Sequence, residues 1–250
     1  MRPVPRIIPV LLLARSGLAK GVQFREHGYV GDPINAMRIF NEKDVDEVIL
    51  LDIEARIASR PPDLELIARI ADECYVPLAV GGGISRIEDV DALIRSGIEK
   101  VILNTGAVDR PELIGEVANR YGAQSATVAI DYLARSGENR VYAENGTRDT
   151  GLDALAWARC SVEHGAGEVL LNCISRDGTG GGYDLDLVTR AVDSLTVPVV
   201  AGCGAGSVDD LRAAARAGAS AAAGSLFVYF GRRRSVLITY PINGRRMSVE

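Results

Sequence analysis

Val76-Pro-Leu-Ala-Val-Gly-Gly-Gly83 and Val197-Pro-Val-Val-Ala-Gly-Cys-Gly204 read as two versions of one segment, 121 residues apart. The same offset carries Asp89 onto Asp210, Gly97 onto Gly218, Asn104 onto Ser225 and Glu47-Val-Ile-Leu50 onto Glu168-Val-Leu-Leu171. Gapless agreement over most of each half marks an internal repeat. A period of half the chain means two related halves, about 1–122 and 123–230, and not a solenoid. Each copy is a short apolar run closed by glycines, and such runs recur. They lie at Arg6–Leu13, Val48–Ile53, Leu78–Val80, Lys100–Asn104, Ala126–Asp131, Val169–Asn172, Val199–Ala201 and Ala221–Gly224. They are continuous and not alternating, as strands buried on both faces of a parallel sheet must be.

Helix-like segments fall between most of these strands. Pro33–Lys43 follows Asp32 as N-cap, with proline at the first helical position. Ser85-Arg-Ile-Glu88 reads as a capping box for Ile87–Ser96, and Asp109 with Pro111 opens Glu112–Tyr121. Asp153–His164 and a helix from Ser207 to Ala217 follow, and Gly97, Gly122, Gly165 and Gly218 act as stops. Eight βα units in 250 residues predict a (β/α)8 TIM barrel occupying residues 1–250 as one domain, in preference to a doubly wound sheet. The last helix is expected to be reduced or irregular. Phe227–Phe230 runs into Gly231-Arg-Arg-Arg234 and an apolar Val236–Tyr240, and the tail 231–250 is expected to end frayed around Asn243-Gly-Arg-Arg246.

Composition narrows the function. Against 28 Lys+Arg stand 33 Asp+Glu, a net charge of −5 that disfavours a nucleic-acid binder. Apolar residues make up 47% and aromatic ones only 5%, so the core must be built from Ile, Leu, Val and Ala. Ile7–Ala14 is too short to cross a bilayer, and with only Arg2 and Arg6 beside it and no cleavage site it does not read as a secretory signal. Cys74, Cys160, Cys173 and Cys203 form no C-x-x-C pair and are expected to be reduced, buried thiols in a cytoplasmic protein without membrane contact. His27 and His164 are too isolated for a metal centre, and neither a metal nor a cofactor is expected.

Chemistry in such a barrel sits where the strands end. Gly81-Gly-Gly83, Asn104-Thr105, Gly202-Cys-Gly-Ala-Gly206 and Gly224-Ser225 lie there. Glycines let backbone N–H groups approach an anion, and a following helix N-terminus favours negative charge. One such cluster is equally well a tight turn. Two clusters related by the repeat point to two phosphate sites across one mouth, hence to a ligand phosphorylated at both ends. Asp52, Asp131 and Asp177 are the carboxylates at strand ends. Asp131 follows a run of small apolar residues that would raise its pKa for acid–base work, whereas Asp52 and Asp177 serve equally well as loop anchors. At the strand starts, Arg6, Glu47, Lys100 and Glu168 could meet in a neutral ring at the barrel floor, for which a structural ion cluster is the commoner explanation.

These residues resemble a known family. Arg6-Ile-Ile-Pro9, Lys20-Gly-Val-Gln-Phe24, Gly31-Asp-Pro33, Leu51-Asp-Ile53, Gly81-Gly-Gly-Ile84, Asn104-Thr105, Ala129-Ile-Asp131, Gly165-Ala-Gly-Glu168 and Arg176-Asp-Gly-Thr179 with Gly182-Tyr-Asp184 resemble the cyclase subunit of imidazole glycerol phosphate synthase. The match extends through almost the whole chain, to about Phe230. It implies a heterodimer with a glutaminase docked on the floor, whose ammonia passes a gate formed here by Arg6, Glu47, Lys100 and Glu168. It implies a ribulosyl formimino carboxamide ribonucleotide held at the mouth by its two phosphates. The ligand positions are then Lys20, Gly82, Gly83, Asn104, Thr105, Asp177, Gly178, Gly204, Gly224 and Ser225. It also implies two acid–base aspartates, at the ends of strands one and five.

Here the chain departs from its family. The strand-one signature Cys-Leu-Asp is replaced by Val10-Leu11-Leu12, so Leu12 stands where the first aspartate belongs, while Asp131 is kept. Ser175 replaces an aspartate, and Gly202-Cys203 replaces Ser-Gly. Loss of an essential carboxylate predicts a slow or inactive cyclase. The pattern resembles a paralogous branch linked to surface-polysaccharide sugar biosynthesis, in which barrel and glutaminase supply ammonia to a separate sugar amidotransferase. The expected function is therefore an ammonia-channelling, cyclase-like subunit. The alternative is an active cyclase of L-histidine biosynthesis, and the isomerase of that pathway ranks below both because it too needs the strand-one aspartate.

Overall fold

The computed structural model describes residues 4–14, 17–135, 137–231 and 233–240. Ile7–Ala14, Val48–Asp52, Leu78–Gly81, Lys100–Leu103, Ala126–Arg135, Glu168–Cys173, Val199–Gly202 and Ser220–Ala223 are all parallel and pair in chain order. Strand one pairs with strand two (Val10 with Ile49) and also with strand eight (Ile7 with Ala221), which closes a (β/α)8 TIM barrel. All eight lie on the apolar runs, with ends moved by a residue or so, except that the fifth runs on to Arg135. It does so because it continues into a meander with Glu138–Ala143 and Arg148–Asp153 beyond the barrel rim.

The helices Pro33–Glu42, Glu112–Tyr121, Ala154–Glu163 and Val208–Arg216 form where the caps predict. Asp32 accepts from the Asn35 N–H, Asp153 from those of Leu155 and Ala156, and Ser207 and Asp210 form a reciprocal capping box. Two start signals need correction. At Ile87–Arg95 the capping carboxylate is Asp89, not Glu88. Asp89 accepts from the N–H groups of Ser85 and Arg86, at the place that Asp210 takes in the second half. Asp109 does not open Glu112–Tyr121 either. It ends a separate short helix, Thr105–Asp109, and pairs with Arg56 and Arg148. Helices Leu64–Ala71 and Leu185–Ser194 and the hairpin Gly17–Val22 with Arg25–Gly31 had no sequence expectation. The hairpin is short and rich in glycine and charge, with Leu18–Gly21 buried and Arg25–Tyr29 exposed, so no two-residue alternation betrays it; it forms by pairing onto strand one. The eighth helix is reduced to Ser225–Val228. A two-stranded ribbon of Tyr229–Phe230 and Ser235–Val236 follows, and Tyr240 packs on Phe227 and donates to the Ile7 carbonyl. The expected fraying at 241–250 lies outside the described residues.

Alternate side chains along each strand point outward under the helices and inward to the axis. The inward set is layered. Ile8, Ile49, Ala79, Ile102, Ala129, Leu170, Val200 and Ala222, one from each strand, form a buried cluster separate from the outer core. Charged residues lie below this layer and the polar strand ends above it. Leu170→Ala should leave a hole in this layer that the hydrogen-bonded ring cannot collapse to fill. Urea unfolding is expected to show a loss of about 2–5 kcal/mol; a loss below about 1 kcal/mol would mean that the axis is not close-packed.

Candidate functional site at the barrel mouth

The strand ends and the loops after them enclose one cavity. Its lining includes Leu12, Lys20, Gly82, Gly83, Asn104, Thr105, Asp131, Asp177, Gly178, Gly204, Gly224 and Ser225. Every mouth position named from the sequence is therefore brought together. Gly82, Gly83, Gly178 and Gly204 all have φ in the left-handed range, which a side chain would strain. At the long helices behind the two glycine clusters, Asp89 and Asp210 place a carboxylate on the N–H groups of the entering turn, Ser85 with Arg86 and Gly206 with Ser207. The helix ends that open on the mouth without a side-chain cap are those of Thr105–Asp109 and Ser225–Val228.

Asp131 is 9% exposed and lies in register with Asn172, whose Nδ2 donates to Oδ1 at 2.9 Å. Burial pushes its carboxyl up to about 6 and the charge of Asp177 adds to the rise, while hydrogen bonds from Asn172 and Asn104 oppose it. Leu12 lines the same cavity and offers it no carboxylate. Asn172 was missed from the sequence, although a polar residue closing an apolar strand was signal enough. A side chain at Gly202 would collide with the Asn172 amide oxygen, so glycine there leaves room for the amide to face Asp131.

Lys20 is 7% exposed and reaches the cavity from the hairpin strand that pairs with strand one. Its Nζ donates to the Val10 carbonyl at 2.7 Å, and no carboxylate among the described residues forms an ion pair with it. Burial pulls the amine down to about 8, partly offset by the field of Asp177. Gly224 leaves room for this amine, since a Cβ there would displace Nζ from its place. His27 and Cys203 also line the cavity, unpredicted; Cys203 has φ 64° and, like Cys74 and Cys160, is only half-buried.

The other aspartates are anchors. Asp52 is bound by Arg60 Nη1 at 2.7 Å and accepts from the N–H groups of Glu54 and Ala55. Asp177 accepts from the Phe24 N–H at 3.3 Å and its carbonyl accepts from the Gln23 N–H, which fastens the hairpin turn over the mouth. Asn104 donates to the Ala129 carbonyl, and the Thr105 hydroxyl accepts from the Glu144 N–H.

At the floor the four predicted charges do meet. Arg6 binds both Glu47 and Glu168. Lys100 Nζ lies 2.9 Å from Glu47 and 3.3 Å from Glu168, and Thr127 also donates to Glu168. Burial works against the Arg6 charge, but the two carboxylates outweigh it and hold the guanidinium proton more tightly than usual.

The raised pKa of Asp131 has a measurable sign. Below pH 4 the group is protonated in the folded and unfolded chain alike, whereas above about 6 only the folded chain carries an unfavourably buried charge. Asp131→Asn should therefore stabilise the protein at pH 8, by up to about 3 kcal/mol, with the gain vanishing near pH 4. Urea unfolding at both pH values checks this, and an equal effect at both would contradict it.

A family profile described as histidine biosynthesis protein matches residues 6–233. A protein of Pseudomonas aeruginosa provisionally named imidazole glycerol phosphate synthase subunit hisF2 is 48% identical, covering 94% of this chain and 95% of its own. A provisionally named HisF subunit of Leptospira interrogans is 44% identical over 95% of each chain. The imidazole glycerol phosphate synthase subunit HisF of a Nocardioides species is 39% identical over 92% of each. The chain belongs to the histidine biosynthesis protein family, as a HisF-type imidazole glycerol phosphate synthase subunit.

Proposed function

We propose that this chain is the barrel subunit of a glutamine amidotransferase pair, in which a glutaminase on the floor releases ammonia that travels up the axis to a phosphorylated ligand at the mouth. In this reading the nitrogen goes on to a sugar acceptor, through a partner sugar amidotransferase, and cyclase chemistry is weak. The observation that carries it is Leu12, an apolar side chain in the same cavity as Asp131. One carboxylate near pKa 6 remains, and it has no second acid–base partner on strand one. The charged ring at the floor, with three alanines among the eight residues of the layer above it, supports passage of a small neutral molecule. The matched ends of the two halves, Thr105–Asp109 and Ser225–Val228, supply the two phosphate positions.

A second reading is a working cyclase of histidine biosynthesis, favoured by the retained Asp131 and by relatives that carry the HisF name. Supplying the purified chain with an ammonium salt and the family's cyclase substrate separates the two. Slow turnover is expected, and Leu12→Asp should raise it by about 100-fold or more. Ordinary cyclase rates in the unaltered chain would favour the second reading. Mixing with a glutaminase should raise glutamine hydrolysis, and absence of a complex at micromolar concentration would argue against the ammonia route.

A further inference from the structure

The chain holds 28 basic side chains, of which only Lys20, Lys43 and Lys100 are lysines. Arginine remains charged at any pH a protein meets, so only a lysine can present a neutral amine. Lys100 is committed to two glutamates at the floor, and Lys43, at the end of Pro33–Glu42, does not line the cavity. Lys20 alone projects into the mouth cavity, buried, hydrogen-bonded to one carbonyl and walled by Val10 and Leu12. The titratable groups that face it are Asp177 from the loop after strand six, Cys203 from the end of strand seven and His27 from its own hairpin. An aspartate at position 12 would bring a carboxylate to this corner and hold the amine charged; leucine does the reverse. A desolvated lysine without a counter-ion is the form of the residue that acts as a nucleophile toward carbonyl groups.

We propose that Lys20 captures the aldehyde or ketone carbon of a phosphorylated ligand at the mouth as a covalent imine. The Nζ lone pair attacks the carbonyl carbon, and the π pair moves to oxygen. That oxygen takes one proton from the Asp131 carboxyl and a second that the nitrogen has returned to Asp131, then departs as water, and the last N–H proton of the iminium restores the Asp131 carboxyl. Amine plus carbonyl gives imine plus one water, with no change of oxidation state. An imine carbon is also the electrophile that ammonia arriving along the axis can attack, releasing Lys20. The inference rests on the functional reading above only for a phosphorylated ligand at the mouth.

The test uses the full chain, ribulose 5-phosphate or glyceraldehyde 3-phosphate as probe, and sodium borohydride to fix the imine as a stable amine, followed by peptide mass mapping. The expected result is an adduct at Lys20 and not at Lys43 or Lys100. It should be lost in Lys20→Arg, suppressed in Leu12→Asp, reduced by inorganic phosphate, and give its highest yield between about pH 6 and 8, where the Asp131 acid and the Lys20 amine are both partly available. Circular dichroism of both variants checks that they fold. An adduct that survives Lys20→Arg, or that spreads evenly over the three lysines, overturns the proposal. Calorimetric binding of the probe without any adduct also overturns the imine, while leaving the mouth reading intact.

Discussion

Strand one hydrogen-bonds to strand two along one side and to strand eight along the other, so the sheet has no edge. Closure dictates the rest of the molecule. With the side-chain period fixed at two, half of every strand must face the axis, and eight strands leave an interior that side chains just fill. Parallel strands also put all eight C-terminal ends on one face. Residues as far apart in sequence as Leu12 and Ser225 therefore share one cavity.

The interior is stratified because the three levels answer to different physics. The floor ring buries Glu47 at 2% exposure against Arg6 and Lys100. Buried ion pairs of this kind return little net stability, since desolvation consumes most of the Coulomb gain. Leaving one member unpaired would be costly, so the ring is a matched set. The aliphatic layer above it supplies packing. Above that layer the strand ends carry the polar side chains Asp52, Asp131 and Asn172, which line the cavity.

The mouth is unusual in how its charges are balanced. Asp131 and Lys20 are both driven by burial toward their neutral forms, in opposite directions, to about 6 and about 8.

The sequence alone determined the eight strands, the helix caps at Asp32, Asp153 and Ser207, the barrel, the residues that meet at its mouth and the family. Those features are local or periodic: apolar runs, caps and a repeat are written in consecutive residues. It did not disclose the hairpin Gly17–Val22 with Arg25–Gly31, because one strand is a buried run and the other an exposed one, with no hydrophobic alternation, and the pair exists by pairing onto strand one. It singled out Asp131 from Asp52 and Asp177 by the small apolar run before it, but not the partners that set the three apart. All three end or follow strands, and only the folded chain surrounds Asp52 with Arg60 and backbone N–H groups, turns Asp177 to the hairpin and leaves Asp131 buried against Asn172. Sequence named the groups; tertiary structure decided their ionisation, because desolvation and partner distance depend on residues that only barrel closure brings together.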